Sequence, residues 1–248
     1  MPSTPARPTD LSVCRLIHTL TVSGIVVGML ALLAVVDGAA RAAVLWLIVA
    51  QVIDGVDGPL ARRFDISTVM PRYDGYILDV VIDYVTCVLV PVTFVWQFDL
   101  LPHNVAGGLT IAFVLTTSAM WFSRTDMMTA DHWFRGFPAA WNLVVPTLWL
   151  LDAPVEVTAV VLVGLSLLSM SDVEFAHPVQ VVRRRPATIA FTALWTGAIV
   201  GLTLAAPRDP SLLTSCLLLA GPLWIASQTI GRFVSARSGL EAEPVTAS

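Results

Sequence analysis

Long apolar runs follow one another along almost the whole chain, and they leave few choices of fold. They lie at about 15–36, 40–62, 75–98, 105–122, 137–151, 155–171, 187–206 and 211–233. Each comes near the ~20 residues that a helix needs to cross a bilayer core. The two-residue alternation of barrel strands is absent. The reading is therefore all-α: a polytopic membrane bundle of about eight transmembrane helices in a single domain over 1–248, with 1–10 and 239–248 as flexible tails. Composition agrees, since 13% of residues are charged, about half the ~25% of a soluble domain. The run from Leu20 to Val36 follows Arg7, Arg15 and His18 as a signal peptide would. At 17 residues, with more spans behind it, it reads better as a retained helix.

The basic residues orient the bundle. All fourteen are Arg. With both termini cytoplasmic, Arg7, Arg15, Arg62, Arg63, Arg72, Arg124, Arg135, Arg183, Arg184, Arg185, Arg232 and Arg237 face the cytoplasm, leaving only Arg41 and Arg208 outside. That bias predicts a multi-pass membrane protein with both termini in the cytoplasm. The net charge of −4 says little about partners, and no nucleic acid is expected. Cys14, Cys87 and Cys216 are far apart and read as small apolar fillers. His177 with Arg183, Arg184 and Arg185 fits topology alone, or binding of lipid phosphate by Arg183 and Arg184. GIVVG at 24–28 fits close helix packing through small residues.

Against this background, four carboxylates stand out. VIDGVDGPLARRFD at 52–65 places Asp54 and Asp57 at the end of the second run, and DGYILDVVIDYV at 74–85 places Asp79 and Asp83 early in the third. Spacings of three and four put each pair on one helix face. Two antiparallel helices rising ~1.5 Å per residue bring the pairs to one depth, with Asp54 about 12 Å from the Arg62 end and Asp83 about 12 Å from Gly75. A charge in the membrane costs ~2.5–3.5 kcal/mol, so four cost about 10 or more. Arg62 and Arg63 cannot neutralise four acids. Hard oxygen ligands without matching bases fit a divalent cation, Mn²⁺ or Mg²⁺. Gly58 and Ala61 share the acidic face of the second span, and Gly75 lies one turn before Asp79. These small residues leave room for a ligand, while Pro59 is expected to loosen the helix. A metal-dependent enzyme acting on phosphate esters and an ion or proton transporter both remain open on these residues. The position toward one face, followed by Arg62 as a phosphate ligand, favours the enzyme.

The set Asp54-x2-Asp57-Gly58-x2-Ala61-Arg62, a spacer, then Gly75-x3-Asp79-x3-Asp83 resembles the signature of the CDP-alcohol phosphotransferase family. The long spacer (Arg63 to Asp74), the extra Gly55, and the segments HTLTVSG (18–24), TADHWFRGFPAAWN (129–142) and FAHPVQVVRRR (175–185) resemble its bacterial phosphatidylcholine synthase branch. The resemblance implies transfer of a phosphatidyl group from CDP-diacylglycerol to choline with release of CMP. Alternative acceptors within the family are inositol phosphate, serine and glycerol 3-phosphate. It further implies that Asp54, Asp57 and Asp79 hold the metal, that Asp83 shares it and acts as the general base, and that Asp57, Gly58, Ala61, Arg62 and Gly75 accept the CDP moiety. A homodimer is implied as well. For a quaternary ammonium, recognised by aromatic faces rather than hydrogen bonds, the candidates are Tyr84, Trp133 and Trp141.

Overall fold

A computed structural model describes residues 8–64, 73–182, 184–205 and 211–237. They form eight helices: α1 (Pro8–Val36), α2 (Ala40–Arg63), α3 (Gly75–Gln97), α4 (Val105–Phe122), α5 (Trp141–Leu150), α6 (Val155–Ser169), α7 (Arg185–Leu204) and α8 (Leu212–Arg237). Two short strands, β1 (Trp133–Arg135) and β2 (Glu174–Ala176), stand among them. Six of the helices are long and apolar enough to cross a membrane. The fifth expected span shrinks to the ten residues of α5, about 15 Å of helix. Residues 137–140 are lost from it because Ala139 takes a left-handed φ of 50° and Phe137 bonds its N–H to the Leu168 carbonyl. At its other end the chain departs from expectation too, since α1 starts at Pro8, inside the segment read as a tail. Proline suits a first helical turn, where its missing N–H has no partner to lose.

The described chain packs as two compact units, residues 1–104 with 141–146, and residues 105–140 with 147–248. In the first, α1 and α2 form an antiparallel hairpin. Gly38, at φ +70°, ends α1, with Gly38 N–H bonded to the Val35 carbonyl and Ala39 N–H to that of Ala34. This double bond closes a helix C-terminus and needs a left-handed residue, which glycine supplies without strain. Helix α3 runs parallel to α1. A Cβ on Gly24 would sit 3.0 Å from Ile82, and one on Gly28 3.0 Å from Thr86. The two glycines of GIVVG are thus the surface that lets α3 approach α1.

Helix α3 is not uniform. Asp74 caps its start, accepting from the N–H groups of Tyr76 (2.9 Å) and Ile77 (3.3 Å). Residues Tyr84–Leu89 then widen into a π-helical segment, with Val90 N–H bonded to the Val85 carbonyl five residues back. Pro91 follows and has no N–H for the carbonyl four residues earlier. The wider turn lets the ladder step past that missing donor.

The second unit is tied together at one end by its loops. β1 and β2 pair antiparallel, Trp133 opposite Ala176 and Arg135 opposite Glu174. Arg232, from α8, reaches Asp131 at 2.8 Å and Glu174 at 2.7 Å and lays its guanidinium 5.0 Å from the Trp133 ring centre. Arg124 holds Asp126 and Asp172. Burial alone would raise the Asp131 carboxyl, but hydrogen bonds from Thr129 and Arg232 bring it below its ordinary value. Its contribution to stability is therefore present above pH ~4 and fades as pH falls through the lowered value. Gly136, at φ +80°, faces the Ser169 carbonyl so closely that a Cβ would overlap it. Gly136→Ala is expected to lower stability by about 2–3 kcal/mol through left-handed strain and overlap. Gly108→Ala, where a Cβ meets nothing within 4 Å among the described residues, should not lower it. Thermal unfolding in detergent micelles checks both, and equal melting temperatures would refute the account of this turn.

Candidate active site

Helices α2 and α3 of the first unit bring the acids together as their spacing requires. Carboxylate oxygens of Asp54, Asp57 and Asp79 all lie within 4.8 Å of one another. Asp83 lines the same cleft one turn further along α3, together with Thr21 of α1 and Thr86 of α3. The four acids are graded in exposure. Asp57 is 4% exposed, Asp79 and Asp83 are half-buried, and Asp54 is open at the surface. Among the described residues, none of the four forms an ion pair with a basic side chain.

This arrangement is costly unless something positive enters it. At an effective dielectric of 20, two unit charges ~5 Å apart repel by about 3 kcal/mol. Asp57 adds a second cost, because its Oδ2 is buried and has no hydrogen-bond partner among the described residues. A carboxylate oxygen without a donor, beside two more oxygens at ligand spacing, is the donor set of a hard divalent cation. The residues fit the metal that the sequence reading expects.

The remaining signature residues are placed as follows. Gly58 and Ala61 lie on α2, and Gly75 is the first residue of α3, where among the described residues a Cβ would meet only His18 Cε1, at 3.9 Å. The backbone of Arg62 is in α2, and its side chain lies outside the described residues. Helix α2 continues through Pro59 to Arg63. Pro59 has no N–H to offer the Gly55 carbonyl four residues earlier.

Of the three aromatic candidates for an ammonium, Tyr84 is half-buried at the start of the π segment, directly after Asp83. Trp141 opens α5 and is fully buried. Trp133 belongs to the second unit, where one cation, Arg232, is already against its ring. Arg183 lies outside the described residues, and Arg184 takes a left-handed conformation (φ 59°) as the residue preceding α7. His177 serves its own loop: its Nδ1 accepts from the N–H groups of Val179 and Gln180, and its ring stacks 4.8 Å from that of Phe134.

Sequence reasoning about the acids missed what α1 brings. Thr21 and Gly24 line the cleft beside Asp57 and Asp79. Both belong to HTLTVSG, the segment in which similarity was visible but no role was. The π segment was missed too. Pro91, six residues before the end of α3, was its only local signal.

Comparison with known proteins points the same way. Residues 15–175 match the family described as CDP-alcohol phosphatidyltransferase. A phosphatidylcholine synthase of Pseudomonas aeruginosa is 35% identical over 211 residues, 85% of each chain. One of Mesorhizobium japonicum is 36% identical over 179 residues, 72% of this chain and 66% of that one. One of Rhizobium meliloti is 36% identical over 184 residues, 73% and 74% of the two chains.

The geometry generates a binding prediction that needs no substrate. Mn²⁺ added to the purified protein should lose its free-ion electron paramagnetic resonance signal as it binds. Asp57→Asn, which leaves the side-chain volume almost unchanged, should weaken that binding at least tenfold, or about 1.4 kcal/mol. Equal Mn²⁺ affinity in the two proteins would rule out Asp57 as a ligand.

Proposed function

Because the chain belongs to the CDP-alcohol phosphatidyltransferase family, we propose that it is a phosphatidylcholine synthase, moving the phosphatidyl group of CDP-diacylglycerol onto choline and releasing CMP. The observation that carries the reading is the convergence of Asp54, Asp57 and Asp79, with Asp83 beside them, in a chain similar over most of its length to proteins of that name. The similarity to phosphatidylcholine synthases favours choline over inositol phosphate, serine or glycerol 3-phosphate as the acceptor.

In this reading Asp54, Asp57 and Asp79 hold the divalent cation, Mn²⁺ or Mg²⁺, with Asp83 near enough to share it. Bound there, a divalent cation supplies neutralisation of the diphosphate and of the charge that develops on the departing CMP. Gly58, Ala61 and Gly75 keep side chains out of the space that the nucleotide needs, and Arg62 offers a guanidinium to its phosphates. Asp83 accepts the hydroxyl proton of choline at a carboxylate oxygen. The choline oxygen then bonds to the phosphatidyl phosphorus, and the anhydride bond from that phosphorus to CMP breaks. The diacylglycerol tails stay in the bilayer throughout.

The choline ammonium is assigned to Tyr84, which follows the base on α3, and to Trp141. Trp133 is left with Arg232 as its cation. The Arg distribution supports an inner-membrane protein whose termini and active site face the cytoplasm, with Arg183 and Arg184 near lipid phosphate. The family match runs across both packing units, which supports one functional domain, and a homodimer is the assembly that the family likeness favours.

Purified protein given labelled CDP-diacylglycerol and Mn²⁺ should form CMP with choline and not with serine, inositol phosphate or glycerol 3-phosphate. Efficient use of another acceptor would reassign the substrate. Cation flux in vesicles without CMP formation would replace the enzyme by a transporter. Asp83→Asn should keep CMP binding while turnover falls by about 10²–10⁴, the span of a lost general base. Parallel loss of both would make Asp83 chiefly a metal ligand.

A further inference from the structure

Among the described residues of the first unit, Gln51 Oε1 and His18 Nε2 are, like Asp57 Oδ2, buried without a partner. His18 lies on α1. Three observations locate it. The His18 ring is level with Gly75, whose Cβ position is 3.9 Å from His18 Cε1. It also meets Tyr73 edge-on, with ring centres 6.3 Å apart. One turn further along α1, Thr21 lines the cleft that contains Asp57 and Asp79. His18 and Thr21 therefore stand in sequence along the wall that runs from the start of α3 to the carboxylates.

We propose that His18 Nε2 hydrogen-bonds the nucleotide portion of the substrate, making α1 a third wall of the nucleotide site beside α2 and α3. The proposal rests on the reading of the chain as a CDP-dependent transferase. A ring nitrogen shut off from solvent, with no partner among the described residues, calls for one from outside them. An imidazole can present Nε2–H as a donor, and CMP offers oxygens on its phosphate, ribose and base. Acids dominate the rest of this cleft and cannot donate while ionised. The N–H of His18 is thus a kind of group that Asp54, Asp57, Asp79 and Asp83 do not provide. A buried water satisfying Nε2 is the competing explanation, and it predicts no effect on the nucleotide.

The test is CMP binding to the full-length protein in micelles containing Mn²⁺. His18→Ala should weaken CMP binding about tenfold, the scale of one lost hydrogen bond to a charged or polar ligand. Affinity for Mn²⁺ without CMP should stay as in the wild type, since the carboxylates are untouched. His18→Gln, whose amide nitrogen reaches about as far as Nε2, should recover part of the loss. Unchanged CMP affinity in His18→Ala would overturn the proposal. So would an equal loss of Mn²⁺ affinity, which would mark His18 as a packing residue. If choline fails as acceptor, the choline assignment falls while these binding measurements still decide the role of His18.

Discussion

Three carboxylates held within 4.8 Å of one another between apolar helices are the constraint on which the first unit depends. Each would be more stable in water, and each pair repels. Folding brings them together only because the apolar faces of α1, α2 and α3 bury enough surface to hold the backbone in place. The strain is local and it is concentrated where a cation removes it. Asp57, nearly inaccessible and with one oxygen lacking a donor, is the residue that would gain most from the ion.

The small residues give the acids their setting. Gly24 and Gly28 let α3 close onto α1, with side chains of Ile82 and Thr86 at 3.0 Å from where a Cβ would be. That contact fixes the height of Asp79 and Asp83 relative to Thr21. Beyond Asp83 the π segment lengthens the span of the backbone hydrogen bond from four residues to five, so that the residues after Tyr84 face differently from those of a regular helix. Segments of this type recur at functional sites, and here one begins directly after the residue proposed as the base.

Much of the site was legible in the sequence because it is local. Asp54 with Asp57, and Asp79 with Asp83, fall on helix faces by spacing alone, and the hydropathy of the runs gives the helices that carry them. The eight helices were legible for the same reason, although α5 is shorter than its apolar run. There Gly136 and Ala139 turn the backbone left-handed before the helix begins, and an alanine gives no warning of that. What stayed hidden is what depends on distant partners. The pairing of β1 with β2 joins residues some forty positions apart, and Arg232 finds Asp131 from a hundred positions away. Arg232 reads as one more cytoplasmic charge in the sequence, whereas in the structure it is the cation against Trp133. His18 was counted with the flank of a possible signal peptide. Only the fold brings it beside Gly75.

The central claim is that these acids exist to hold a divalent cation against the phosphates of a nucleotide. Pulsed electron–nuclear double resonance on the Mn²⁺-loaded protein with CMP measures it directly, through the coupling of the metal electron spin to ³¹P. The account predicts a ³¹P coupling that appears on adding CMP to the wild-type protein. Bound CMP and bound Mn²⁺ with no ³¹P coupling between them would contradict it.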